Sequence, residues 1–254
     1  MAISAVVLTK NEEKNLKKCL QALDFCDEIL VIDDFSRDKT ETVACAAGAK
    51  VFKRHLENDF AAQRNFGLKK ARNEWVLFID ADEVVSKKLK SEIMTEIADP
   101  SISTVGFYLP RVNFFLGKKL SFGQAKGEKL LRLAKKGTGI WRRQVHEFWD
   151  ISGKKESFKN SLLHLSDSDL AGWVEKINFY SELHAQANQK EGKNSSLVKI
   201  IFYPLFKFLD NYFLRTAFRD GVYGLVFSLL MSLHSFLAWS KLWLKQQKEK
   251  SPAV

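Results

Sequence analysis

The sequence predicts an α/β fold, in which a mostly parallel sheet carries helices on both faces. Over the first hundred residues, short apolar, β-branched runs alternate with segments of helical periodicity. Ile3–Thr9 is a continuous apolar run rather than apolar at every second residue, which is typical of a parallel strand buried on both faces. Acidic residues follow two of the runs directly, at the sheet edge where open α/β sheets bind ligands.

The elements of this first part follow from local patterns. Ile3–Thr9 (ISAVVLT) is a continuous apolar run, and Asn11 is the expected N-cap of the helix after it. Gly48 is a natural residue to end the second helix. The predicted strands are Ile3–Thr9, Glu28–Asp34, Lys50–Arg54 and Trp75–Asp80, and the predicted helices are Glu12–Leu23, Asp38–Ala47, Phe60–Arg72 and Ser86–Ala98.

The pattern changes after Pro100, where short strands are joined by turns rich in glycine and lysine. The expected elements here are strands at Thr104–Arg111, Lys119–Phe122, Lys129–Ala134, Ile140–Phe148 and Leu162–Leu165, and a helix at Leu170–Asn188. We therefore expect three regions, 1–100, 101–190 and 191–254.

The last region is apolar and aromatic. Val198–Leu214 is interrupted by Pro204, and Gly221–Leu244 contains no acidic residue and only His234 and Lys241 as basic ones. The second run exceeds the roughly 20 residues that a bilayer span needs. Its Ser, Gly and Lys residues also fit a helix lying in the membrane interface, and the basic tail that follows suits anionic headgroups. We expect a membrane-associated region, in-plane or re-entrant rather than fully spanning; a buried helical hairpin is the alternative.

Charge and cysteine content limit the function classes. The net charge is +10, and residues 111–160 hold 13 basic and 4 acidic side chains. This basic stretch, which includes Arg132, Arg142 and Arg143, suits a polyanionic partner. The three cysteines fit no metal motif, and the N-terminus has no basic segment followed by an apolar run. We therefore expect free thiols in a reducing compartment, the cytoplasm.

Carboxylates at two strand ends are the strongest candidates for chemistry. Asp80 and Asp82 (DADE) stand two positions apart in a turn after a buried strand, and their oxygens suit Mg²⁺ or Mn²⁺. Asp33 belongs to a second cluster (DDFSRDKT), whose carboxylates suit ribose hydroxyls or a base. Capping of the following helix is the alternative role for Asp80 and Asp82, and in the second cluster for Ser36 and, most of all, Asp38.

The ordered set T-x-N-E-E-x-N, D-D-x-S-x-D-x-T, F-A-x-Q-R-N and D-A-D-E resembles glycosyltransferase family 2. More narrowly, it is similar to bacterial lipopolysaccharide-core β-glucosyltransferases, and the likeness continues through Leu131–Leu133, Val145–Glu147 and Arg219–Gly221. The resemblance implies a GT-A fold, with a Rossmann-like nucleotide-sugar half at 1–100, an acceptor half at 101–190, and inversion at the anomeric carbon. Each motif alone is modest evidence for the family, whereas the order and spacing of the whole set are specific to it.

The resemblance also implies residue roles. Thr9, Asn11, Glu12 and Asp33 would line the nucleoside pocket, and Arg64 and Asp80 would face the donor. A divalent metal, Mg²⁺ or Mn²⁺, would be held by Asp80, Asp82 and His164 and would offset the charge of the leaving diphosphate. For His164, a core histidine is the alternative.

Inversion requires a carboxylate base for the acceptor hydroxyl. Many family members carry an E-D pair for this role. At the corresponding position this sequence has Glu147, which is the candidate base. His146 precedes it and would orient Glu147 or contact phosphate.

The predicted function is therefore transfer of a sugar, glucose favoured, from a nucleotide sugar such as a UDP-sugar to a lipid-linked acceptor such as lipopolysaccharide core. The predicted location is the cytoplasmic face of the bacterial inner membrane, peripheral or monotopic. One alternative is a metal-dependent nucleotidyltransferase, although TKNEEKN lacks the glycines of a phosphate loop. Another is a non-catalytic membrane-surface protein with a degenerate transferase domain. We do not expect nucleic-acid binding, because acidic strand ends and an apolar tail accompany the basic stretch.

Overall fold

The computed structural model describes residues 1–99, 101–144, 147–165 and 169–250, with nothing described of the Lys250 side chain. The chain forms two compact units. The first comprises Met1–Asn113 and Gly127–Leu165, and the second comprises Phe114–Lys126 and Ser166–Val254. The predicted functional division at residues 100 and 190 stays a prediction.

A parallel sheet forms the centre of the first unit. Its strands lie in the order β3-β2-β1-β4, and each neighbouring pair is parallel. The strands are β1 (Ile3–Thr9), β2 (Glu28–Asp33), β3 (Lys50–Lys53) and β4 (Trp75–Asp80). Parallel neighbours require crossover connections, and helices supply them. The predicted α/β class with a Rossmann-like parallel core is confirmed.

The crossover helices pack apolar stripes on this sheet. On α1, Leu16, Cys19 and Leu20 are buried at helical spacing. Ser86 caps α4 by accepting from Leu89 N–H. The helices are α1 (Glu13–Gln21), α2 (Thr40–Ala46), α3 (Phe60–Lys70) and α4 (Lys87–Ala98). Asn11 is not the N-cap of α1, contrary to the prediction: its backbone is left-handed, and its side chain accepts from Arg37 N–H.

Antiparallel strands extend the sheet beyond β4. The order continues β4-β8-β6-β12-β5, and β11 pairs with β6 in parallel. These strands are β5 (Glu83–Val85), β6 (Thr104–Phe115), β8 (Lys129–Lys135), β11 (Lys154–Ser157) and β12 (Leu162–Leu165).

A separate hairpin replaces one predicted strand. Ile140–Phe148 was expected to be a single strand, but β9 (Gly139–Arg142) and β10 (Phe148–Ile151) form an antiparallel pair. Trp141 and Trp149 stack across the hairpin, and the Phe78 ring contacts both edge-on. Burial of these rings in a shared core fixes the hairpin where local patterning alone indicated a continuous strand.

The second unit is mainly helical. Three long helices pack together, α5 (Leu170–Lys190), α6 (Leu197–Leu209) and α7 (Val222–Lys250). Short helical turns at Asp210–Leu214 and Ala217–Asp220 connect α6 to α7. The last two residues of β6 pair with β7 (Lys118–Lys119), and a short turn of helix follows at Gly123–Ala125. The Asp220 carboxylate accepts from the backbone N–H groups of Ser121 and Phe122, which ties this loop to the helices.

Candidate active site

Three of the predicted site residues stand at the same edge of the parallel sheet. Thr9 ends β1, Asp33 ends β2 and Asp80 ends β4. Thr9 lies opposite Asp33, and Leu8 lies opposite Asp80. Because the order β3-β2-β1-β4 reverses direction beside β1, the crevice at these carboxyl ends is the usual ligand position of an open α/β sheet. The structure therefore brings Thr9, Asp33 and Asp80, three of the predicted nucleotide-sugar residues, to one edge of the sheet.

The loop after β2 is held in a fixed shape. Asp33 is fully buried, and it accepts from the backbone N–H and the hydroxyl of Ser36. The Ser36 hydroxyl in turn accepts from Asn11 N–H at 2.8 Å. Between them, Phe35 adopts a left-handed backbone and stacks its ring on His55 at a centroid distance of 3.9 Å. These hydrogen bonds join the loop after β1 to the loop after β2 at the carboxyl ends of the strands.

Glu12 and Thr9 differ in their surroundings. Glu12 lies at the start of α1, where its N–H donates to Thr40 Oγ1 and its carboxylate accepts from the Asn15 amide. Thr9 is buried, and among the described residues its hydroxyl has no hydrogen-bond partner. A buried hydroxyl without a partner costs about 1–3 kcal/mol, so a ligand at this edge would gain by pairing with it.

Each polar residue of the Q-R-N motif on α3 has a separate contact. Gln63 exchanges hydrogen bonds with Arg54, at the end of β3. Asn65 exchanges two with the backbone of Trp141 on the hairpin, both at 2.9 Å. Arg64 lies between them and faces the strand ends. Gln63 and Asn65 therefore attach α3 to the end of β3 and to the hairpin, on either side of the buried Arg64.

Arg64 joins two of the predicted site carboxylates. Its Nη2 donates to Asp80 Oδ1 at 2.8 Å, and its Nε donates to Glu147 Oε1 at 2.9 Å. Its guanidinium also lies over the Trp141 ring, 4.8 Å from the centroid. Arg64 is 2% exposed, so its guanidinium group is shielded from water, whereas the Asp80 side chain is 30% exposed. The structure thus places Glu147 beside Arg64, one of the predicted donor-facing residues. Its role as catalytic base stays a prediction, and His146 lies outside the described residues.

A second arginine completes the contacts of Asp80. Arg132, on β8, donates from Nη2 to Asp80 Oδ2 at 2.7 Å. Partial burial would raise the pKa of Asp80, but the guanidinium groups of Arg132 and Arg64 hold it well below its usual range. Asp80 is therefore an anion with an arginine on each oxygen.

Glu83 supports the turn that carries Asp80 and Asp82. It is fully buried, accepts from Asp80 N–H at 2.9 Å, and contacts Arg111 at 3.4 Å. Burial and the charge of Asp80 raise the pKa of Glu83. The last acid of the D-A-D-E motif therefore shapes the turn.

Asp82 and His164 form the contact best suited to a metal. His164, on β12, places Nε2 3.1 Å from Asp82 Oδ2, while its Nδ1 lies 2.9 Å from Asn113 Oδ1. Burial would lower the pKa of His164, but the hydrogen bond to Asp82 raises it above its ordinary value. If Nδ1–H donates to Asn113 Oδ1, Nε2 donates to Asp82 when the imidazole is protonated, and it can ligate a cation when the imidazole is neutral.

A divalent cation fits these donors as a two-ligand site. Among the described residues, no group of three or more His, Cys, Asp or Glu side chains is arranged to hold a metal. One carboxylate and one imidazole, however, match the donor preferences of Mn²⁺, and Mg²⁺ is usually bound by one or two carboxylates with substrate phosphates and water. Asp82 and His164 would supply the protein ligands; Asp80, engaged by two arginines, would contribute only if one of them moves.

Several site residues were not assigned from the sequence. Arg132 was noted in the basic stretch and in the Leu131–Leu133 motif, but its burial against Asp80 was not predicted. Glu83 was noted only as part of D-A-D-E, and Asn113 and Trp141 were not singled out. The Leu-Arg-Leu context is a signal that could have identified Arg132, because an arginine inside an apolar strand needs a partner. The contacts of Asn113 and Trp141 cross between distant elements and leave no local pattern.

Comparison with known proteins identifies the family. The profile described as "Glycosyl transferase family 2" matches residues 4–154. The chain is 29% identical to the lipopolysaccharide core biosynthesis glycosyltransferase LpsC of Rhizobium meliloti, over 100% of this chain and 96% of that one. It is 28% identical to an uncharacterized glycosyltransferase of Rickettsia typhi, over 94% and 86% of the two chains.

The chain is also similar to two solved structures. S. aureus TarS residues 1–349 superpose with a TM-score of 0.49 at 14% identity, covering 98% of this chain and 91% of that one. Glucosyl-3-phosphoglycerate synthase from Mycobacterium tuberculosis, in complex with Mn²⁺, UDP and phosphoglyceric acid, gives 0.49 at 16%, covering 77% and 80%. The match over residues 4–154 spans more than half of the sequence, and the chain belongs to glycosyltransferase family 2.

Proposed function

We propose that this glycosyltransferase moves a sugar, glucose favoured, from a UDP-sugar to a lipid-linked glycan acceptor such as lipopolysaccharide core, with inversion. The observation that carries the proposal is the meeting of Arg64, Asp80 and Glu147 at the strand ends, beside the Asp82–His164 pair. The likeness to LpsC over the whole chain supports the acceptor class.

The nucleoside would lie against the loops after β1 and β2. Thr9, Asn11, Glu12 and Asp33 are the proposed lining. Bracing of these loops by the Asn11–Ser36 and Ser36–Asp33 hydrogen bonds would preorganise them for binding, which lowers the entropy cost of ordering a loop on the ligand. The donor's diphosphate would then extend toward Asp80 and Arg64.

A divalent metal at Asp82 and His164, when bound, would supply positive charge to the leaving diphosphate. Asp82 would contribute an oxygen and His164 would contribute Nε2, with Asn113 fixing the imidazole tautomer through Nδ1. Asp80 would be the third candidate ligand. Asn113 and Glu83 would keep these side chains in position, through His164 and through the Asp80 backbone N–H.

Glu147 would take the proton of the acceptor hydroxyl. Its Oε1 accepts from Arg64, which orients the carboxylate near the donor. Direct in-line attack then requires the acceptor hydroxyl on the face of the sugar opposite the diphosphate. Arg64 is thus a positioning group for Glu147 as well as a proposed donor contact.

A membrane surface is the proposed partner of the second unit. On α6, large apolar side chains are exposed along most of the helix. Of the described residues of this helix, only Pro204 is buried. The exposed set is Leu197, Val198, Ile201, Phe202, Tyr203, Leu205, Phe206 and Leu209. An apolar surface of this extent, accompanied by Lys199 and Lys207, fits insertion among anionic headgroups.

An in-plane arrangement is favoured over a span. Val222–Glu249 of α7 is long and apolar enough to cross a membrane. Its C-terminal half, however, makes polar contacts with α5: Lys241 donates to the Asn178 carbonyl at 2.6 Å, and Lys245 pairs with Glu182 at 2.8 Å. A span would break these contacts or bring charged groups into hydrocarbon. We therefore propose a peripheral or monotopic protein, on the cytoplasmic face of the bacterial inner membrane, consistent with its free cysteines.

A product assay tests the transferase. Purified full-length protein is incubated with UDP-glucose, other nucleotide sugars, or nucleoside triphosphates, together with truncated lipopolysaccharide core and Mg²⁺ or Mn²⁺. We expect release of nucleoside diphosphate, fastest with UDP-glucose, and a new glycosidic bond of inverted configuration by NMR. Pyrophosphate release from a triphosphate would instead identify a nucleotidyltransferase, and no product from any donor would contradict the proposal.

A further inference from the structure

The R-D-G motif (Arg219, Asp220, Gly221) lies in the connection between α6 and α7, residues 210–221, and the proposed function gives it no role. Two of its residues have structural explanations. The Asp220 carboxylate accepts from the N–H groups of Ser121 and Phe122 at 3.0 and 2.9 Å. Gly221 has a φ of +65° and a ψ of −141°, a conformation that residues with a side chain rarely adopt. The exposed Arg219 is the residue left to explain.

The loop that Asp220 contacts is fixed along its length. Its next two N–H groups also have acceptors in the α6–α7 connection: Gly123 N–H donates to the Arg215 carbonyl at 2.9 Å, and Gln124 N–H donates to Asn211 Oδ1. Asn211 is itself fully buried. Four consecutive N–H groups are therefore satisfied by one connection, and a ligand at this place would meet a loop that is already ordered.

Three exposed cations lie against aromatic rings on this loop and connection. Arg219 Cζ lies 4.2 Å from the centroid of the Phe122 ring, and Lys126 Nζ lies 5.3 Å from the same centroid. Lys118 Nζ lies 4.9 Å from the centroid of the Tyr223 ring, at the start of α7. A ring face attracts a cation and restrains it without removing it from solvent. The three charges are therefore held in place while they stay accessible.

Few acids are present to balance these charges. Phe114–Lys126 contains three lysines and no acidic residue. In residues 211–245 the only acid is Asp220, which is buried and contacts the loop. Arg215 has its own partner, Asp210, at 2.7 Å. The exposed cations that have no carboxylate partner within the described part of the chain form what we call the basic surface: Lys118, Lys119, Lys126 and Arg219.

Large apolar side chains flank the basic surface along the chain. Leu214 is 79% exposed, Val222 is 72% exposed, and Phe218, which directly precedes Arg219, is 48% exposed. Cations accompanied by exposed apolar groups match the boundary between the headgroups and the acyl chains of an anionic bilayer. A soluble polyanion would offer these apolar groups no counterpart. The chemistry therefore favours an anionic phospholipid surface as the partner.

We propose that the basic surface binds the phosphate-bearing headgroups of anionic phospholipids, with Arg219 as its central residue. The exposed side chains of α6 supply apolar insertion, and the basic surface adds a preference for anionic over zwitterionic membranes. Each residue of the R-D-G motif then has a role: Arg219 binds headgroups, Asp220 holds the loop that carries Phe122, and Gly221 forms the turn into α7. This inference rests on the membrane association proposed above and adds a contact that is selective for lipid charge.

Vesicle cosedimentation of the full-length protein tests the basic surface. The vesicles consist of phosphatidylcholine alone, or of phosphatidylcholine and phosphatidylglycerol in equal parts. The test variant combines Lys126→Gln with Arg219→Gln, and the control combines Lys17→Gln with Lys18→Gln, two exposed lysines of α1. We expect the test variant to bind anionic vesicles about tenfold to thirtyfold more weakly than wild type or control, since each cation near an anionic leaflet contributes about fivefold. Binding to phosphatidylcholine vesicles should be unchanged.

Phe122→Leu separates a built surface from diffuse attraction between charges. Leucine removes the ring that restrains Arg219 and Lys126 and leaves every charge in place. We expect severalfold weaker binding to the anionic vesicles, with folding confirmed by circular dichroism. Binding equal to that of wild type would overturn the role given to the ring.

The outcomes separate this surface from the rest of the proposed function. If the Lys126 and Arg219 variant keeps the wild-type preference for anionic vesicles, or if the α1 control loses it equally, the basic surface is overturned and insertion by α6 stands. If wild type binds neither kind of vesicle, both are overturned. If binding depends on Arg219 but no sugar is transferred in the product assay, the basic surface stands and the transferase fails.

Discussion

Arg64 donates from Nε to Glu147 Oε1 at 2.9 Å, and it thereby joins residues that are 83 positions apart in the chain. The same guanidinium group binds Asp80 through Nη2. One buried arginine therefore sets the separation between the proposed donor contact and the proposed base. A shift of α3 would move both carboxylates together.

Glu147→Gln tests the proposed base. Glutamine keeps an oxygen that accepts from Arg64 but cannot take a proton, so turnover should fall by about a hundredfold or more. Donor affinity should change much less. Steady-state rates and calorimetric donor binding measure the two effects separately. Glu128→Gln is the control, because it removes the same charge from a different ion pair, that of Glu128 with Arg111. It should leave turnover near wild type. Equal losses in turnover and binding would make Glu147 a donor-binding residue.

Gly67→Ala tests the close approach of α3 to the sheet. A Cβ at Gly67 would overlap Val6 Cγ1 on β1, so the helix or the valine must shift. We expect the free energy of unfolding to drop by about 1–3 kcal/mol, as for other overpacked cores. Urea denaturation measures it, with exposed Lys69→Ala as the control on the same helix. Val6→Ala should recover part of the loss; full stability of Gly67→Ala alone would show that α3 does not rest directly on β1.

Glu28 predicts a pH dependence of stability remote from the site. Burial would raise its pKa, but hydrogen bonds from Lys50 and Ser4 lower it below its ordinary value of 4.5. Because the folded-state pKa is the lower one, the stabilisation is complete above the unfolded-state pKa and is lost as pH falls through the folded-state pKa. Glu28→Gln should therefore be less stable than wild type at neutral pH, with the difference shrinking under acid conditions.

Urea denaturation at neutral and acidic pH measures this difference. A gap between Glu28→Gln and wild type that stayed constant as pH fell below 4.5 would contradict the depressed pKa of Glu28.

Ile201→Glu tests the membrane surface. Ile201 is 52% exposed on α6, so a glutamate there should leave the fold intact and weaken binding to anionic vesicles. Val174→Glu is the matched control, since Val174 is 42% exposed on α5. Vesicle flotation compares the two variants with wild type. Undiminished flotation of Ile201→Glu, or equal loss in both variants, would rule out α6 as the inserting surface.

Much of the parallel half could be predicted, because its signals are local. β1 and β4 match their predicted bounds, since fully apolar runs are required wherever a strand is covered on both faces. Helix ends shifted by a few residues. Asn11 was misassigned because its side chain pairs with Arg37, from the next loop, rather than with its own helix.

The hairpin and the arginine pair depend on contacts that the sequence does not display locally. Trp141 and Trp149 are held by Phe78 and by Asn65, from β4 and α3. Arg132 belongs to a motif shared with the family, but its contact with Asp80 follows only from the pairing of β8 with β4. Asp33, Asp80 and Asp82 were singled out because acids at the ends of apolar strands are conspicuous in the sequence. The residues that contact Asp80, Arg64 and Arg132, come from other elements.

Metal-dependent release of nucleoside diphosphate tests the transferase site most directly. Wild type, Asp82→Asn and the exposed control Asp24→Asn are assayed with the preferred nucleotide sugar, in Mn²⁺ or in EDTA, and circular dichroism confirms folding. We expect wild type and Asp24→Asn to require the metal and Asp82→Asn to lose about a hundredfold or more of activity. Undiminished wild-type release in EDTA, or near-normal activity of Asp82→Asn, would contradict a metal held by Asp82 and His164.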